Sequence, residues 1–224
     1  MENVVELLRL PSPAPRPHAL AHDGQRLWMG SVENSRLYSI DPAAWTARDE
    51  GVTPGARADS VQGKPWGMTA VGDELRVCYG INDDDDRVIR RFVPGHGFHG
   101  PAIPCPDSTG SQLSYDGDRL FLSQFYNGRL MAIADDGSVG TVIELGRQIL
   151  GHVVVGGQFY VIAADDENDA AYALARVDAR HGTPVIEDIA RVPFAARSLA
   201  FDGGRFWTSH REAHEIVAFA RPDA

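Results

Sequence analysis

A short apolar run, a turn built on glycine and a second apolar run recur five times along the chain. The phrases are LAHDGQRLWMGS from Leu20, MTAVGDELRVCYG from Met68, LSYDGDRLFLSQ from Leu113, HVVVGGQFYVIA from His152 and LAFDGGRFWTSH from Leu199. Aligned on Gly24, Gly72, Gly117, Gly156 and Gly203, they are spaced by 48, 45, 39 and 47 residues. Asp-Gly and Gly-Gly supply the positive φ that tight hairpin turns need, so each phrase predicts a β-hairpin. After a polar loop, a third strand-like run follows each hairpin: RLYSID from Arg36, RVIRRF from Arg87, RLMAIA from Arg129, YALARVD from Tyr172 and EIVAFA from Glu215. The middle repeats add a fourth run, GPAIPC, GTVIEL and PVIEDIARV.

Four strands in about 45 residues is the period of a β-propeller blade, and no window shows the sustained 3.6-residue periodicity of a helical solenoid. The fifth unit stops after its third strand, whereas NVVELLRL, ahead of the first phrase, is a strand with no hairpin partner. Pairing the two closes the ring and removes edges that would invite aggregation. The expectation is one all-β domain over residues 1–224, a five-bladed β-propeller. Its blades lie near 17–62, 63–107, 108–146, 147–193 and 194–224, the last completed by the strand at 3–10.

That topology sorts the polar residues. In an up-and-down blade, the connections between blades and the loops between second and third strands open on one face, where propellers usually take small ligands. Strand entries bring Arg16, His18, Trp66, Ser111, Gln112, His152 and Arg197 to that face, and the loops bring Glu33, Asn34, Tyr79, Asn82, Gln124, Tyr126, Asn127, His210 and Arg211. His18 or His152 suits a general base or a metal ligand, with Glu33 or Asp165 as the orienting carboxylate. The repeat alignment sets His152 level with Leu20, Met68, Leu113 and Leu199, which leaves a packed core histidine equally open. His18 is level with Trp66, Ser111, Leu150 and Arg197, and a residue type that changes from blade to blade marks a lining position. Trp66 and Tyr126 read as walls for an organic ligand or as caps on the core. Arg197 and Arg211 suit a carboxylate or phosphate. Tyr79, Gln112, Gln124, Asn127 and His210 complete the candidate substrate contacts. Arg36, Arg87 and Arg129 open three third strands and read as blade structure.

Charge narrows the partners. Lys and Arg number 21 against 31 Asp and Glu, a net charge of -10 that argues against nucleic acid and against an anionic membrane surface. Asp83 to Asp86, with Asp165, Asp166, Glu167 and Asp169, hold eight of the acids, so the acidity is concentrated in two loops of the ligand face. Asp83, Asp165 and Asp166 are candidate ligands for a divalent cation, Ca2+ or Mg2+. The plainer reading is a solvated loop kept extended by like charge, since neither run has the glycine and terminal glutamate of a calcium loop. The opening MENVVELLRL lacks a basic leader and an apolar core segment, and no apolar stretch is long enough to span a membrane, so a cytoplasmic location is expected.

Other motifs fail on context. Gly95-His96-Gly97-Phe98-His99-Gly100 has dinucleotide-loop spacing but lies between Pro94 and Pro101 and opens no helix. Cys78 and Cys105 fall on the second and fourth strands of one blade with the third between them, which argues against a disulfide and a catalytic thiol.

The phrases GKPWGMTAVGDELRV, NGRLMAIADDGSV and SLAFDGGRFWTSH resemble the blades of the group that holds streptogramin lyases, gluconolactonase-like proteins and bacterial glutamine cyclotransferases. The resemblance covers nearly the whole chain and implies a small-molecule enzyme of lyase, cyclase or lactone-hydrolase type, working by acid-base or metal-assisted chemistry at the mouth of the central channel. The competing expectation is a non-enzymatic propeller that binds a cationic small molecule or a protein partner through its acidic rim.

Overall fold

Asp23, Asp116 and Asp202 close three of the five hairpin turns. One oxygen of each accepts two backbone amides, from Gln25 and Arg26, Asp118 and Arg119, and Gly204 and Arg205, at 2.7 to 2.9 Å. The second oxygens of Asp23 and Asp202 accept the indole N–H of Trp28 and Trp207 at 2.7 and 2.8 Å, which ties each turn to its second strand. Burial alone would raise these two carboxyls, but the donors outweigh it and hold both below the usual carboxylate range.

The computed structural model describes residues 1–41, 44, 57–82, 86–166, 172–179 and 183–222. After β1 (Glu6–Pro11), the first sheet runs β2 (Pro17–His22), β3 (Leu27–Ser31), β4 (Arg36–Ile40) and β5 (Arg57–Ser60). The second is β6 (Lys64–Val71), β7 (Glu74–Gly80), β8 (Val88–Val93) and β9 (Gly97–Pro104). The third is β10 (Leu113–Tyr115), β11 (Leu120–Gln124), β12 (Arg129–Ile133) and β13 (Val139–Glu144). The fourth is β14 (Gln148–Val155), β15 (Gln158–Ala164), β16 (Tyr172–Asp178) and β17 (Val185–Val192). The fifth takes β18 (Ala196–Phe201), β19 (Arg205–His210) and β20 (Glu215–Ala220), and β1 is its outermost strand.

These sheets are the blades of a five-bladed β-propeller. First strands touch in sequence, β2 with β6, β6 with β10, β10 with β14, β14 with β18 and β18 with β2, which closes the ring. The closure has a second stitch. While β1 pairs antiparallel with β20, Val4 and Glu2 exchange backbone hydrogen bonds with Arg191 of β17, so the N-terminal segment bonds to the fourth blade and the fifth. Apolar side chains fill the spaces between neighbouring sheets, with Trp207, Tyr160, Phe92 and Phe121 among the largest fully buried. Near the axis the inner strands approach closely. A Cβ on Gly67 would strike the Ser111 carbonyl, and one on Gly151 would strike the backbone of Ser198. Among the described residues no helix is long and apolar enough to cross a membrane.

Candidate functional site

The inner strands do not enter the sheets in even register. Pro17 faces Ser31 and Ala19 faces Gly30, so His18 is one residue too many. The same slip leaves Trp66 over between the Pro65–Tyr79 and Gly67–Cys78 pairs, and Leu150 over between Ile149–Ala163 and Gly151–Ile162. In β18 it falls between Arg197 and Ala200. In the third blade, Ser123 accepts from Ser111 N–H and donates to Gln112 C=O, two residues against one. A bulged residue is left out of the ladder and its side chain is re-aimed. His18, Trp66 and Leu150 are re-aimed in this way, and with Ser111 and with Arg197, which stays paired with Ser209 just ahead of its bulge, the five residues that stand level in the repeat all line one cavity of about 440 Å3. Arg87, Thr109, Gln112, Gln124, Phe125, Tyr126, Asn127, Ile149 and Arg211 complete it, so every blade contributes.

His18 is 6% exposed, and its Nδ1 lies 2.8 Å from the carbonyl oxygen of Trp66. A carbonyl can only accept, so Nδ1 carries the proton and Nε2 the lone pair. Nε2 bonds to no described residue. Burial lowers the imidazole pKa most, then the charges of Arg211 and Arg197; the bond to Trp66 offsets only part, and Arg87 lowers it further. His18 is therefore a neutral imidazole well below its ordinary pKa. Gln112, buried, donates its amide to the same Trp66 oxygen at 2.8 Å, so a single carbonyl sets both side chains. The Trp66 ring meets His18 edge-on at 5.1 Å and carries the Arg87 guanidinium on its face at 4.3 Å.

The lining holds three arginines and, among the described residues, no carboxylate. Arg87 also donates to the Gly110 carbonyl. Arg197 lies over the Phe125 ring at 5.4 Å and donates to Ala196 C=O at 3.3 Å. Arg211 has its pKa lowered, first by burial and then by Arg16 and Arg197, and its Nε–H is buried without a partner. The indole N–H of Trp66 is buried without a partner as well.

Not every candidate from the sequence reaches this cavity. His152 is fully buried. Its Nε2 donates to Gln112 C=O at 3.1 Å, Ser114 Oγ donates to its Nδ1 at 2.9 Å, and burial lowers its pKa to about 4. Both ring nitrogens are spent on the protein, so the structure places His152 in the core, outside the cavity lining. Gln124 lines the cavity but is saturated too. Its amide donates to Pro106 and Thr109 carbonyls, and its oxygen accepts from Asn127 and Arg129, so it holds the wall in place. Tyr126, 77% exposed, and Asn127 stand at the rim. Tyr79 stacks on Phe98 at 5.0 Å, His210 faces Arg9, Glu215 and Phe194, and Glu33 is exposed; these three are outside the lining.

The acidic loops are occupied differently from the expectation. Asp165 is paired with Arg147 at 2.8 Å, and Asp86 accepts the amides of Ile81 and Asn82 in its own loop. Asp166 is exposed, and Asp83 lies outside the described residues. Among the described residues no three His, Cys, Asp or Glu side chains gather as a metal-ligand set. Two placements differ from those expected. Arg87 is not only blade structure but part of the lining: Val88 takes the ladder position that Arg36 and Arg129 hold in their blades, and Arg87, one residue before it, lies over the Trp66 ring. Cys78 and Cys105, expected apart, are buried free thiols with sulfurs 3.9 Å apart, since Cys105 lies past the end of β9 where the chain turns back. Thr109, Phe125 and Ile149 carried no sequence signal for the site.

No protein family matches the chain by sequence, and no curated protein matches it. Solved structures do. Glutaminyl cyclase of Myxococcus xanthus is 10% identical with a TM-score of 0.67, covering 97% of each chain. The PQQ-bound aldose sugar dehydrogenase of Streptomyces coelicolor is 14% identical at a TM-score of 0.59, covering 98% of this chain and 81% of that one. Virginiamycin B lyase of Staphylococcus aureus is 16% identical at a TM-score of 0.51, covering 95% of this chain and 68% of that one. At these identities the likeness is one of fold.

Proposed function

We propose that this propeller is a small-molecule enzyme that works by proton transfer at His18 in the five-blade cavity, in a reaction of lyase, cyclase or lactone-hydrolase type. The observation that carries the reading is the state of His18. It is neutral, its proton is fixed on Nδ1 by Trp66, and its Nε2 lone pair is uncommitted at the wall of a cavity. A general base needs that combination, because a charged or doubly bonded imidazole cannot take a proton. All three reaction types begin with a base removing a proton, from carbon in an elimination, from an attacking nitrogen or oxygen in a cyclisation, or from water in a lactone hydrolysis. Arginines beside the base stabilise the negative charge that such a step develops. The cyclase and lyase named among the fold neighbours are enzymes of two of these types, which is consistent with the reading without identifying a substrate.

The competing expectation, a cationic ligand on an acidic rim, has less behind it. The cavity wall is cationic, and Asp165 and Asp86 are engaged by the protein itself.

The test is a turnover screen by mass spectrometry against small amides, lactones and β-substituted carbonyl compounds. Wild-type protein is expected to convert one class, and His18→Gln to lose about 100-fold or more in kcat with an unchanged melting temperature. Equal conversion by the variant would overturn the assignment.

A further inference from the structure

We infer that the ligand of this cavity is a small organic acid with at least two negative charges, its anionic end held by Arg197 and Arg211. The inference rests on the proton-transfer reading of the site and adds the class of molecule it acts on.

Arg197 and Arg211 carry charge that no described carboxylate neutralises. The chain as a whole carries -10, yet the described lining of this cavity sets Arg87, Arg197 and Arg211 around a neutral histidine with no Asp or Glu. Elsewhere the protein pairs its arginines readily. Arg76, Arg91, Arg129 and Arg147 each hold a carboxylate within 2.8 Å. Arg197 and Arg211 hold none among the described residues, although acids outnumber bases by 31 to 21.

Like charges gathered in a half-buried concavity repel one another, more strongly than they would in open water. Arg16 and Arg197 both act on Arg211 in this sense, with Glu212 a smaller opposing charge. A cluster of this kind is stable when an anion completes it, and a guanidinium presents paired N–H donors that match carboxylate or phosphate oxygens. The Arg197 guanidinium lies over the Phe125 ring, which favours its charge at this wall of the cavity. The rest of the wall suits a carbon skeleton. Ile149, Leu150 and the Phe125 ring are apolar, and about 440 Å3 is within the range of metabolite sites. Arg197 and Arg211 bring two positive charges that no described carboxylate pairs, which is why a single negative charge falls short of the site.

Titration calorimetry on the full chain tests this with five probes: succinate, citrate, 3-phosphoglycerate, inorganic phosphate and putrescine. At least one of the three organic acids is expected to bind at millimolar concentration or below, to weaken with added salt, and to weaken about tenfold or more in Arg197→Gln and in Arg211→Gln. Tighter binding in the carboxylate or the phosphate arm assigns the headgroup. Arg119→Gln, in a hairpin turn away from the cavity, is the control and is expected to bind like wild type. Both cavity variants relieve repulsion, so neither is expected to melt below wild type in the absence of ligand.

The inference is overturned if no organic acid binds, if inorganic phosphate binds as tightly as the best of them, if putrescine binds more tightly, or if the arginine variants bind unchanged. Its failure is distinguishable from that of the enzyme reading. His18-dependent turnover of a neutral or cationic substrate would keep the base and remove the anion. Arginine-dependent binding of a di-acid with no His18-dependent turnover in the screen would do the reverse.

Discussion

At His18 the Trp66 carbonyl fixes the proton on Nδ1, and at His152 the Gln112 carbonyl fixes it on Nε2 while Ser114 donates to Nδ1. Both rings are neutral, but of the two only His18 keeps a nitrogen that no described residue engages. For His152 the consequence lies in stability. Its folded pKa of about 4 is below the ordinary 6.5, so on acidification the unfolded chain takes up a proton first. The stabilisation is complete above 6.5 and is lost as pH falls through the interval to about 4, a shift worth about 3 kcal/mol. Urea midpoints measured across that interval are expected to fall in wild type and to fall less steeply in His152→Leu, the residue type found at that level in three other blades. An unchanged slope would remove His152 as the source. Sequence alone left His152 open between base and core residue, because the alignment shows its level in the repeat but not whether Ser114 and Gln112 reach it.

At the scale of the strand, one extra residue near the start of each inner strand decides what the cavity contains. The level shared by His18, Trp66, Ser111, Leu150 and Arg197 was legible in the repeat as the position that varies, and variation is what a lining position permits. The bulge itself was not legible, since a lone residue inserted into a strand has no compositional mark. Arg87 was hidden for a related reason: in the sequence it opens a third strand as Arg36 and Arg129 do, but in the sheet Val88 takes that level and Arg87 stands one residue before it, against Trp66. Beyond the bulge, the close approach of the inner strands depends on the absence of a side chain. Gly151→Ala puts a methyl group into the backbone of Ser198 and is expected to cost about 2–4 kcal/mol in chemical denaturation. A loss below about 0.5 kcal/mol would mean that the β14–β18 contact is looser than described.

The whole molecule joins these parts by closing the ring. The repeat and the unpaired N-terminal strand made the five-bladed fold readable, because hairpin turns, strand count and edge pairing all follow from local pattern. The site was readable only in outline, because its charge comes from separate blades. Arg87 comes from the second, Arg197 and Arg211 from the fifth, and all three act on a histidine of the first. The net charge of -10 concealed this local reversal of sign, and the acidic loops that produce much of it are partly spent on Arg147 and on their own backbone. The state of His18 is therefore a property of the assembled ring. The most direct measurement is a nitrogen NMR titration of the histidine-labelled protein, with His18 assigned by its loss in His18→Gln. The account predicts a neutral ring protonated on Nδ1 that titrates well below 6.5, opposite in tautomer to His152. A His18 that titrates at or above 6.5, or that carries its neutral-state proton on Nε2, would contradict it.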